Sequence, residues 1–338
     1  MRIAIISPPW VPVPPHGYGG TEAVLDCLAR GLQATGHDVL LFATGDSTCD
    51  VPMGWDRAVA VGPGDATPFI EMHHVIKAYE AVQTWGADVV HDHTLFGPVY
   101  GQRVGVPVVT TNHGPFEDDL ADIYRAVAPL VAIVAISHNQ ASQADDIPIA
   151  AVIHHGVDPD AFPIGEGDGD FAVFLGRMHP AKGVDAAARI AQRAGVKLKI
   201  ACKLEEPLEH EYFDQAVAPL LGNGVEFVGE VGGDAREELL GAATCLLNPI
   251  DWEEPFGMVM IEALACGTPV VATARGSTPE LIDDGVTGYV RTTEDELAAC
   301  LRHAHLLDRA SCRQAVVDRF STQRMVADHV ALYEQFAG

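Results

Sequence analysis

Two glutamates lie on either side of a Pro-Phe-Gly turn in the second half of the chain, Glu254 just before it and Glu262 in the apolar segment that follows. The apolar segment predicts a helix that begins at this turn. The first four N–H groups of a helix have no acceptor within the helix, and the helix dipole adds a partial positive charge there. Such a helix start binds a phosphate or diphosphate. Its residues here are Phe256, Gly257, Met258 and Val259.

The two glutamates would flank that anion, and a phosphate repels a carboxylate that is not bonded to another group. Sugar hydroxyls and a ribose diol donate the hydrogen bonds that carboxylates accept. We therefore interpret the segment as a nucleotide-sugar site, with Glu254 on the sugar hydroxyls and Glu262 on the ribose. Apolar neighbours indicate that Glu262 is buried, and an unpaired buried carboxylate is costly.

Two cations precede these glutamates at the end of a predicted strand. The apolar run 171–176 has the length and composition of a buried strand, and Arg177 follows it directly, with Lys182 in the loop beyond. An arginine grips phosphate oxygens with a planar fork, while a lysine supplies a compact charge that neutralises a leaving group. Together with the helix start, these residues predict a two-part donor site for a diphosphate.

These motifs and others along the chain resemble those of a known family, the GT-B glycosyltransferases. The resemblance is to the retaining family-4 group (glycosyl transferases group 1), which uses nucleotide-diphosphate sugars. The matching motifs occur in the family's order and span nearly the whole chain. They are Gly19-Gly20-Thr21-Glu22, His113-Gly114, Gly176-Arg177 with Lys182-Gly183, Glu254 and Glu262 with seven residues between them, and Gly267-Thr268-Pro269-Val270-Val271.

The order of strands and helices predicts the fold class. Apolar strands alternate with helical segments through both halves, a pattern typical of an α/β protein with doubly wound parallel sheets. The predicted strands are 3–6, 38–43, 88–91, 106–111 and 133–136 in the first half, and 172–175, 197–201, 225–228, 244–247 and 269–272 in the second.

A stretch rich in Gly, Asp and Pro, 159–170, separates the halves and places a domain boundary near residue 165. The resemblance implies a GT-B fold, in which two Rossmann-like domains face each other across a cleft. An acceptor-binding domain is implied over 1–165 and a donor-binding domain over 166–321. The helix at about 322–338 is implied to pack back on the first domain.

The resemblance also implies a reaction: a hexose moves from a UDP- or GDP-sugar to an acceptor with retention at the anomeric carbon. Front-side attack is implied, since no residue is clearly placed as a nucleophile. His113 is implied to contact the primary hydroxyl of the sugar. The backbone of Gly19 and Gly20 is implied to approach the donor diphosphate or the acceptor from the first domain. The implied catalytic residues are Glu254, His113, Arg177 and Lys182.

Other functions remain open from the sequence: a noncatalytic nucleotide-sugar-binding protein, a GT-B nucleotide-sugar epimerase and a phosphorylase all suit two such sheets. A phosphorylase needs cofactor chemistry for which no motif is present, and a dehydrogenase is disfavoured because no G-x-G-x-x-G follows the first strand. UDP-glucose and GDP-mannose are both compatible donors, with UDP favoured. The small-molecule or glycan acceptor and the oligomeric state stay open.

Two segments look like metal sites but are not expected to bind metal. His91-Asp92-His93 lies at a strand end, supplies too few ligands, and suits a polar loop that faces the acceptor. Asp168-Gly169-Asp170 lies in the predicted linker and is interpreted as a solvated turn. We expect no metal and no cofactor, with Arg177, Lys182 and the helix amides providing the positive charge. The sequence offers no explanation for His154-His155.

The formal net charge of −26 disfavours several classes of partner. Residues 1–160 contain six Lys or Arg against nineteen Asp or Glu, and neither half has the basic surface that binds nucleic acid or docks on an anionic membrane. Seven cysteines without a C-x-x-C pair indicate reduced thiols, and the first apolar run is too short for a signal peptide. We expect a cytoplasmic protein without strong membrane binding.

Overall fold

The computed structural model describes residues 1–17, 19–65 and 67–337, apart from the side chain of Pro63.

The chain forms two compact units. The first unit consists of Met1–Gly156 together with the C-terminal segment that begins at Thr322, and the second unit is Val157–Ser321. The structure therefore divides the chain after Gly156, ahead of the boundary predicted near residue 165. The stretch between those two points belongs to the second unit.

Each unit contains one set of strands. The first unit has β1 (Arg2–Ile6), β2 (Asp38–Ala43), β3 (Met53–Trp55), β4 (Val89–Asp92), β5 (Val108–Thr111), β6 (Ala132–Ala135) and β7 (Ile149–Val152). The second unit has β8 (Ala172–Arg177), β9 (Leu198–Lys203), β10 (Val225–Gly229), β11 (Cys245–Asn248), β12 (Val270–Thr273) and β13 (Gly288–Arg291).

Helices connect the strands in both units. They are α1 (Gly20–Ala34), α2 (Pro68–Trp85), α3 (Gly97–Tyr100), α4 (Asp118–Val127), α5 (His138–Ser142), α6 (Val184–Ala194), α7 (Pro207–Tyr212), α8 (Asp234–Ala242), α9 (Met258–Ala265), α10 (Thr278–Leu281), α11 (Glu294–Leu301), α12 (Arg309–Arg319) and α13 (Thr322–Tyr333). A 3₁₀ turn at Pro180–Lys182 matters for the site. None of the helices that the structure describes is both long enough and apolar enough to cross a bilayer.

Both sheets are parallel between the strands that pair. The first is seven-stranded, with order β3-β2-β1-β4-β5-β6-β7, and the second is six-stranded, with order β10-β9-β8-β11-β12-β13. In β1, Ile3, Ile5 and Ile6 are all fully buried, although successive strand residues face opposite sides of the sheet. Both sheet faces are therefore covered. The predicted α/β class with two doubly wound parallel sheets is confirmed.

The C-terminal helix α13 completes the first unit by packing on α1. Gly31 of α1 lies so close to α13 that an added Cβ would be 2.6 Å from Val326 Cγ2. Met325, Val326, Leu332 and Tyr333 of α13 are buried. The last helix therefore contributes side chains to the core of the first unit.

In each sheet the strand order reverses at one point. The reversal lies between β1 and β4 in the first sheet and between β8 and β11 in the second. Loops that leave the carboxyl ends of two such strands run in opposite directions and open a crevice, which is where ligands bind in doubly wound sheets. Each unit therefore has one crevice position that its topology defines.

Candidate functional site

The loop after β8 carries both predicted cations of the second unit. Arg177 is the last residue of β8, and Lys182 ends the following 3₁₀ turn. The amide of Asp251 donates to the carbonyl of Ala181 (2.8 Å), which ties this loop to the loop after β11. Burial, followed by the charges of Arg177 and Lys182, lowers the pKa of His179 between them. Two cations thus lie at the reversal point of the second sheet.

The structure brings Lys182 and Glu254 into direct contact. Lys182 Nζ donates to Glu254 Oε2, and the indole Nε1 of Trp252 donates to the same oxygen at 2.9 Å. The ammonium also lies 4.9 Å from the centre of the Trp252 ring. Both charged side chains are largely buried, with 18% and 13% of their surfaces exposed. The residues predicted to serve the diphosphate and the sugar separately therefore form one ion pair.

The backbone of Glu254 is held by the loop after β12. The amide of Ser277 donates to the Glu254 carbonyl (3.0 Å), and the amide of Gly276 donates to Glu253 Oε2 (2.8 Å). A Cβ on Gly276 would lie 2.3 Å from both the nitrogen and the oxygen of Glu254. Only a glycine permits this close approach, so the loop after β12 fixes the position of the Glu254 backbone.

Helix α9 begins at Met258, directly after Gly257, so the sequence correctly predicted a helix start at this turn. Gly257 has φ 89° and ψ 67°, a left-handed conformation that favours glycine, and it caps the helix without a side chain. Phe256 before it is buried, and the helix is anchored by Met260, which is fully buried. Among the described residues, no protein group accepts from the amides of Met258 and Val259, the first two of the helix. These amides provide the partial positive charge of a helix start.

Replacing Gly257 with alanine tests this helix start. A Cβ there would lie 2.5 Å from Met260 Cε, which can move, but the left-handed backbone at φ 89° disfavours any side chain and strains the start of α9. We expect the dissociation constant for UDP, measured by calorimetry, to rise about tenfold, because displacing the amides at the start of α9 costs roughly the binding free energy of one hydrogen bond. Gly195→Ala is the control, because Gly195 also has a positive φ but no heavy atom near its Cβ position. Equal UDP affinity in both variants would contradict the role of α9.

Glu262 in α9 is buried, as predicted, but it is not unpaired. Its Oε1 lies 3.3 Å from Nη1 of Arg236 in α8. The premise that this carboxylate lacks a partner was therefore wrong, because α8 brings in an arginine that the local sequence did not reveal. Arg236 Nε is buried and has no hydrogen-bond partner among the described residues. Glu262 and Arg236 together form a polar pair beside the helix start.

Histidines from separate segments meet at the carboxyl edge of the first sheet. His91 is in β4, His93 follows it, His113 follows β5, His155 follows β7, and His329 is in α13. His93 Nδ1 and His113 Nε2 lie 2.9 Å apart, so one nitrogen donates and the other accepts. The rings of His113 and His155 stack at 5.1 Å, and the His91 ring lies 4.0 Å from His93 and 5.0 Å from His329. We call these five residues the histidine cluster.

Burial keeps the histidine cluster uncharged. It lowers the pKa of His113 and of His329 to about 4. The pKa values of the other three members lie well below the usual range, with burial as the main cause and the repulsion that neighbouring histidines would exert on a charged ring as a further one. A neutral imidazole has one donor and one acceptor nitrogen, which suits the hydroxyl groups of an uncharged ligand. His113 is therefore in a neutral, hydrogen-bonding environment.

The segment His91-Asp92-His93 does not converge on one point. The carboxylate of Asp92 accepts from Tyr79 Oη (2.8 Å) and Thr94 Oγ1 (2.7 Å), while the rings of the two histidines lie against each other, tilted by 42°. Successive strand residues face opposite sides, which explains the separation. Burial raises the pKa of Asp92 to about 6. These three residues thus do not form a shared ligand set.

The two glycines of the first unit that were predicted to serve the site, Gly19 and Gly20, lie at the start of α1. Gly19 precedes the helix and Gly20 is its first residue. A Cβ on Gly19 would lie 2.7 Å from Pro15 Cβ, so the loop packs too closely for a side chain. Glu22 in the first turn is buried, and burial raises its pKa to about 7. The predicted approach of this loop to a donor or acceptor stays a prediction.

Asp168-Gly169-Asp170 is an exposed turn before β8. Asp170 pairs with Lys197 at 2.8 Å, and both side chains are mostly exposed. Because this turn precedes the strand that ends at Arg177, it lies at the opposite edge of the second sheet. It is thus separated from the two cations by the length of β8.

Several residues at these sites were not predicted from the sequence. Trp252 is two residues before Glu254, so an aromatic donor beside a candidate carboxylate was a usable signal. Arg236 and His329 carried no such signal, because they are distant in the chain from the residues they contact. Only the fold brings them to the sites.

Comparisons with known proteins agree with this arrangement. Residues 170–307 match the family model described as glycosyl transferases group 1, and residues 18–161 match the model for glycosyltransferase family 4. The chain is 28% identical over 400 residues to the D-inositol 3-phosphate glycosyltransferase of Mycolicibacterium smegmatis, an alignment that covers 98% of this chain and 87% of that protein.

Solved structures share the fold over nearly the whole chain. AviGT4, a glycosyltransferase involved in avilamycin A biosynthesis, superposes with a TM-score of 0.76 at 26% identity, covering 99% of this chain and 98% of that one. HepE from Anabaena, solved in complex with UDP and glucose, superposes with a TM-score of 0.79 at 18% identity, covering 99% and 100%. The two family models and these GT-B neighbours confirm the predicted resemblance. The chain belongs to the group 1 and family 4 glycosyltransferases and is a glycosyltransferase with the GT-B fold.

Proposed function

We propose that this glycosyltransferase moves a hexose from a UDP-sugar to a hydroxyl of a small-molecule or glycan acceptor, with retention at the anomeric carbon and without a metal ion. The observation that carries the donor proposal is the contact between Lys182 and Glu254 just before the start of α9, with Arg177 at the end of β8, the strand that leads into the loop of Lys182. All of them belong to the two loops that diverge at the reversal point of the second sheet. Nucleotides bind at such points in doubly wound sheets.

The diphosphate is the part of the donor that these groups suit best. The Arg177 side chain is 39% exposed, so its terminal nitrogens are accessible to phosphate oxygens. The amides of Met258 and Val259 add hydrogen-bond donors. Charge develops on the diphosphate as the bond to the sugar breaks, and fixed donors aimed at it stabilise that state. These groups would supply the positive charge that a divalent ion supplies in other transferases.

The Lys182–Glu254 pair gives each residue a role in the reaction. A phosphate oxygen competes with Glu254 for the ammonium, while Trp252 still donates to the carboxylate. Glu254 can then accept hydrogen bonds from sugar hydroxyls and stabilise an oxocarbenium-like state through its charge. A carboxylate held by two donors suits this electrostatic role better than that of a free nucleophile. This supports front-side transfer over a covalent glycosyl-enzyme.

The proposed step balances without another reactant. The acceptor oxygen forms a bond to the anomeric carbon on the face from which the diphosphate leaves. The bond between that carbon and the diphosphate oxygen breaks, with its electron pair going to the diphosphate. The acceptor's hydroxyl proton moves to the departing phosphate oxygen, so the products are a glycoside and UDP.

The choice of UDP is supported by the neighbours, and Glu262 supports a ribonucleotide of either base. HepE was solved with UDP and glucose, and a second structure of it with UDP-glucose. Glu262 is buried beside the start of α9, where a ribose diol can donate to its carboxylate. His113, the partly exposed member of the histidine cluster, offers a neutral partner for an acceptor hydroxyl, and its role at the sugar's primary hydroxyl remains part of this proposal. Cyclitols and sugars are therefore the first acceptors to try.

A thermal-shift panel of nucleotides and nucleotide sugars tests the donor proposal. UDP and UDP-glucose at a hundredfold their dissociation constants should stabilise the protein by about 2.7 kcal/mol. The shift should vanish in Arg177→Ala and persist in Arg193→Ala, which removes an exposed arginine that pairs with Asp295 (2.8 Å). A shift with NAD and none with any nucleotide sugar would overturn the proposal. Equal UDP release with EDTA and with added magnesium supports its metal-free part.

A further inference from the structure

We propose that Glu209 is a positioning residue that holds Arg177 by its Nε atom and leaves the terminal guanidinium nitrogens for the diphosphate. The inference rests on the proposed function, since it concerns how the second unit prepares its phosphate-binding arginine. Glu209 lies in α7, the short helix that follows β9, and β9 pairs with β8 so that Lys203 is opposite Arg177.

Glu209 is itself rigidly placed. Its Oε2 accepts from the amides of Glu205 (2.9 Å) and Glu206 (3.1 Å), which forms a capping box at the start of α7. Only 4% of its side-chain surface is exposed. The carboxylate lies close enough to the fully buried Cys202 that its charge contributes to raising the pKa of that thiol, after burial. A carboxylate held in this way has little freedom to turn toward other partners.

The second oxygen of Glu209 faces Arg177. Glu209 Oε1 is buried and has no hydrogen-bond partner among the described residues, and the same is true of Arg177 Nε. The two atoms lie 4.0 Å apart. An unsatisfied buried polar atom is costly, and here an unsatisfied acceptor lies opposite an unsatisfied donor of the opposite charge. A movement of about 1 Å brings them to hydrogen-bond distance.

Because of this contact, the Nε atom and the terminal nitrogens of Arg177 have different roles. Nε is buried against Glu209, whereas the side chain as a whole is 39% exposed. The exposed part therefore includes the terminal nitrogens, which bind phosphate oxygens in pairs. An arginine already held in place loses less side-chain freedom when a ligand binds, and this lowers the cost of binding.

A role in capping α7 alone does not account for the contact. The cap uses Oε2, and it would be complete with an uncharged glutamine at the same position. Oε1 is the atom that the cap leaves over, and it is the atom that faces Arg177. The negative charge at position 209 is therefore explained by the arginine.

The test is Glu209→Gln, analysed alone and together with Arg177→Ala. Glutamine keeps an oxygen for the two cap amides but removes the charge that faces Arg177. We expect the calorimetric dissociation constant for UDP to rise about tenfold, as for loss of one charge-assisted contact, while that for uridine stays unchanged. In the Arg177→Ala background, Glu209→Gln should cause no further loss, because its effect passes through the arginine.

Glu205→Gln is the matched control, since Glu205 is a mostly exposed neighbour that pairs with Lys203 (3.2 Å). It should leave the UDP affinity unchanged. Wild-type UDP affinity in Glu209→Gln, or an equal loss with and without Arg177, would overturn the inference while the donor site stands. If Arg177→Ala itself binds UDP normally, the donor proposal fails as well. If Glu209→Gln does not fold, Glu209→Asp replaces it, because aspartate keeps the negative charge but its shorter side chain moves the carboxylate away from Arg177. The same loss of UDP affinity and the same dependence on Arg177 are then expected.

Discussion

Replacement of Lys182 with alanine will lower the rate of UDP release from UDP-glucose by about a thousandfold, the scale seen when one donor to a developing negative charge is removed. The variant loses a cation at the leaving group. It also leaves the largely buried Glu254 without its ammonium partner, so the carboxylate repels the incoming diphosphate. UDP release is measured by a coupled assay, and the dissociation constant for UDP by calorimetry.

Lys197→Ala is the control for this experiment. Lys197 is an exposed lysine of the same unit that pairs with Asp170 in the turn before β8, at the opposite edge of the sheet. Its loss changes the net charge by the same amount, and turnover should stay at the wild-type level. A Lys182→Ala enzyme that keeps most of its turnover would show that the leaving group is stabilised elsewhere.

Acidification will destabilise the first unit steeply. The pKa values of all five members of the histidine cluster are lowered in the folded unit, so they stay neutral where the unfolded chain takes up protons, below about pH 6.5. Their contribution to stability is therefore complete above that pH and is lost as the pH falls toward about 4. Burial works in the opposite sense on three carboxyl groups, because it raises the pKa of Glu22 to about 7, that of Asp92 to about 6, and that of Glu71 as well.

The five histidines outnumber the carboxyl groups that shift in the opposite sense, so the free energy of unfolding should fall as the pH falls below about 6.5, by about 1.4 kcal/mol per pH unit for each extra proton that the unfolded chain binds. Urea unfolding followed by tryptophan fluorescence measures this free energy of unfolding. The Trp252→Phe variant is used, because the three tryptophans that remain, Trp10, Trp55 and Trp85, all lie in the first unit. His329→Gln should reduce the slope of the free energy of unfolding against pH by about 1.4 kcal/mol per pH unit, the effect of one proton. His16→Gln, which replaces an exposed histidine, should leave the slope unchanged. A slope near zero would show that the cluster is charged in the folded protein.

The interior of both sheets was predictable from the sequence, whereas of the four edge strands only β10 was predicted. Central strands such as β1 and β8 are apolar because both faces are covered, and they stand out as short apolar runs. The strands that the sequence did not predict, β3, β7 and β13, are all at sheet edges. Their residues are half-buried or exposed for the most part, so their composition lacks a strand's apolar signal.

The candidate site was predictable where its chemistry is local in the chain. Arg177 is the last residue of a strand and Gly257 directly precedes a helix, so spacing alone placed both correctly at element ends. Side-chain partners are a matter of packing between distant segments. Glu209 and Arg236 were missed for that reason, and Glu262 was wrongly taken as unpaired.

The most direct test of the donor site is a crystal structure of the protein with UDP. We expect the diphosphate to lie within hydrogen-bond distance of Arg177, Lys182 and the amides of Met258 and Val259, with the ribose on Glu262. UDP bound at any other place, with these five residues making no contact to it, would contradict the proposed donor site.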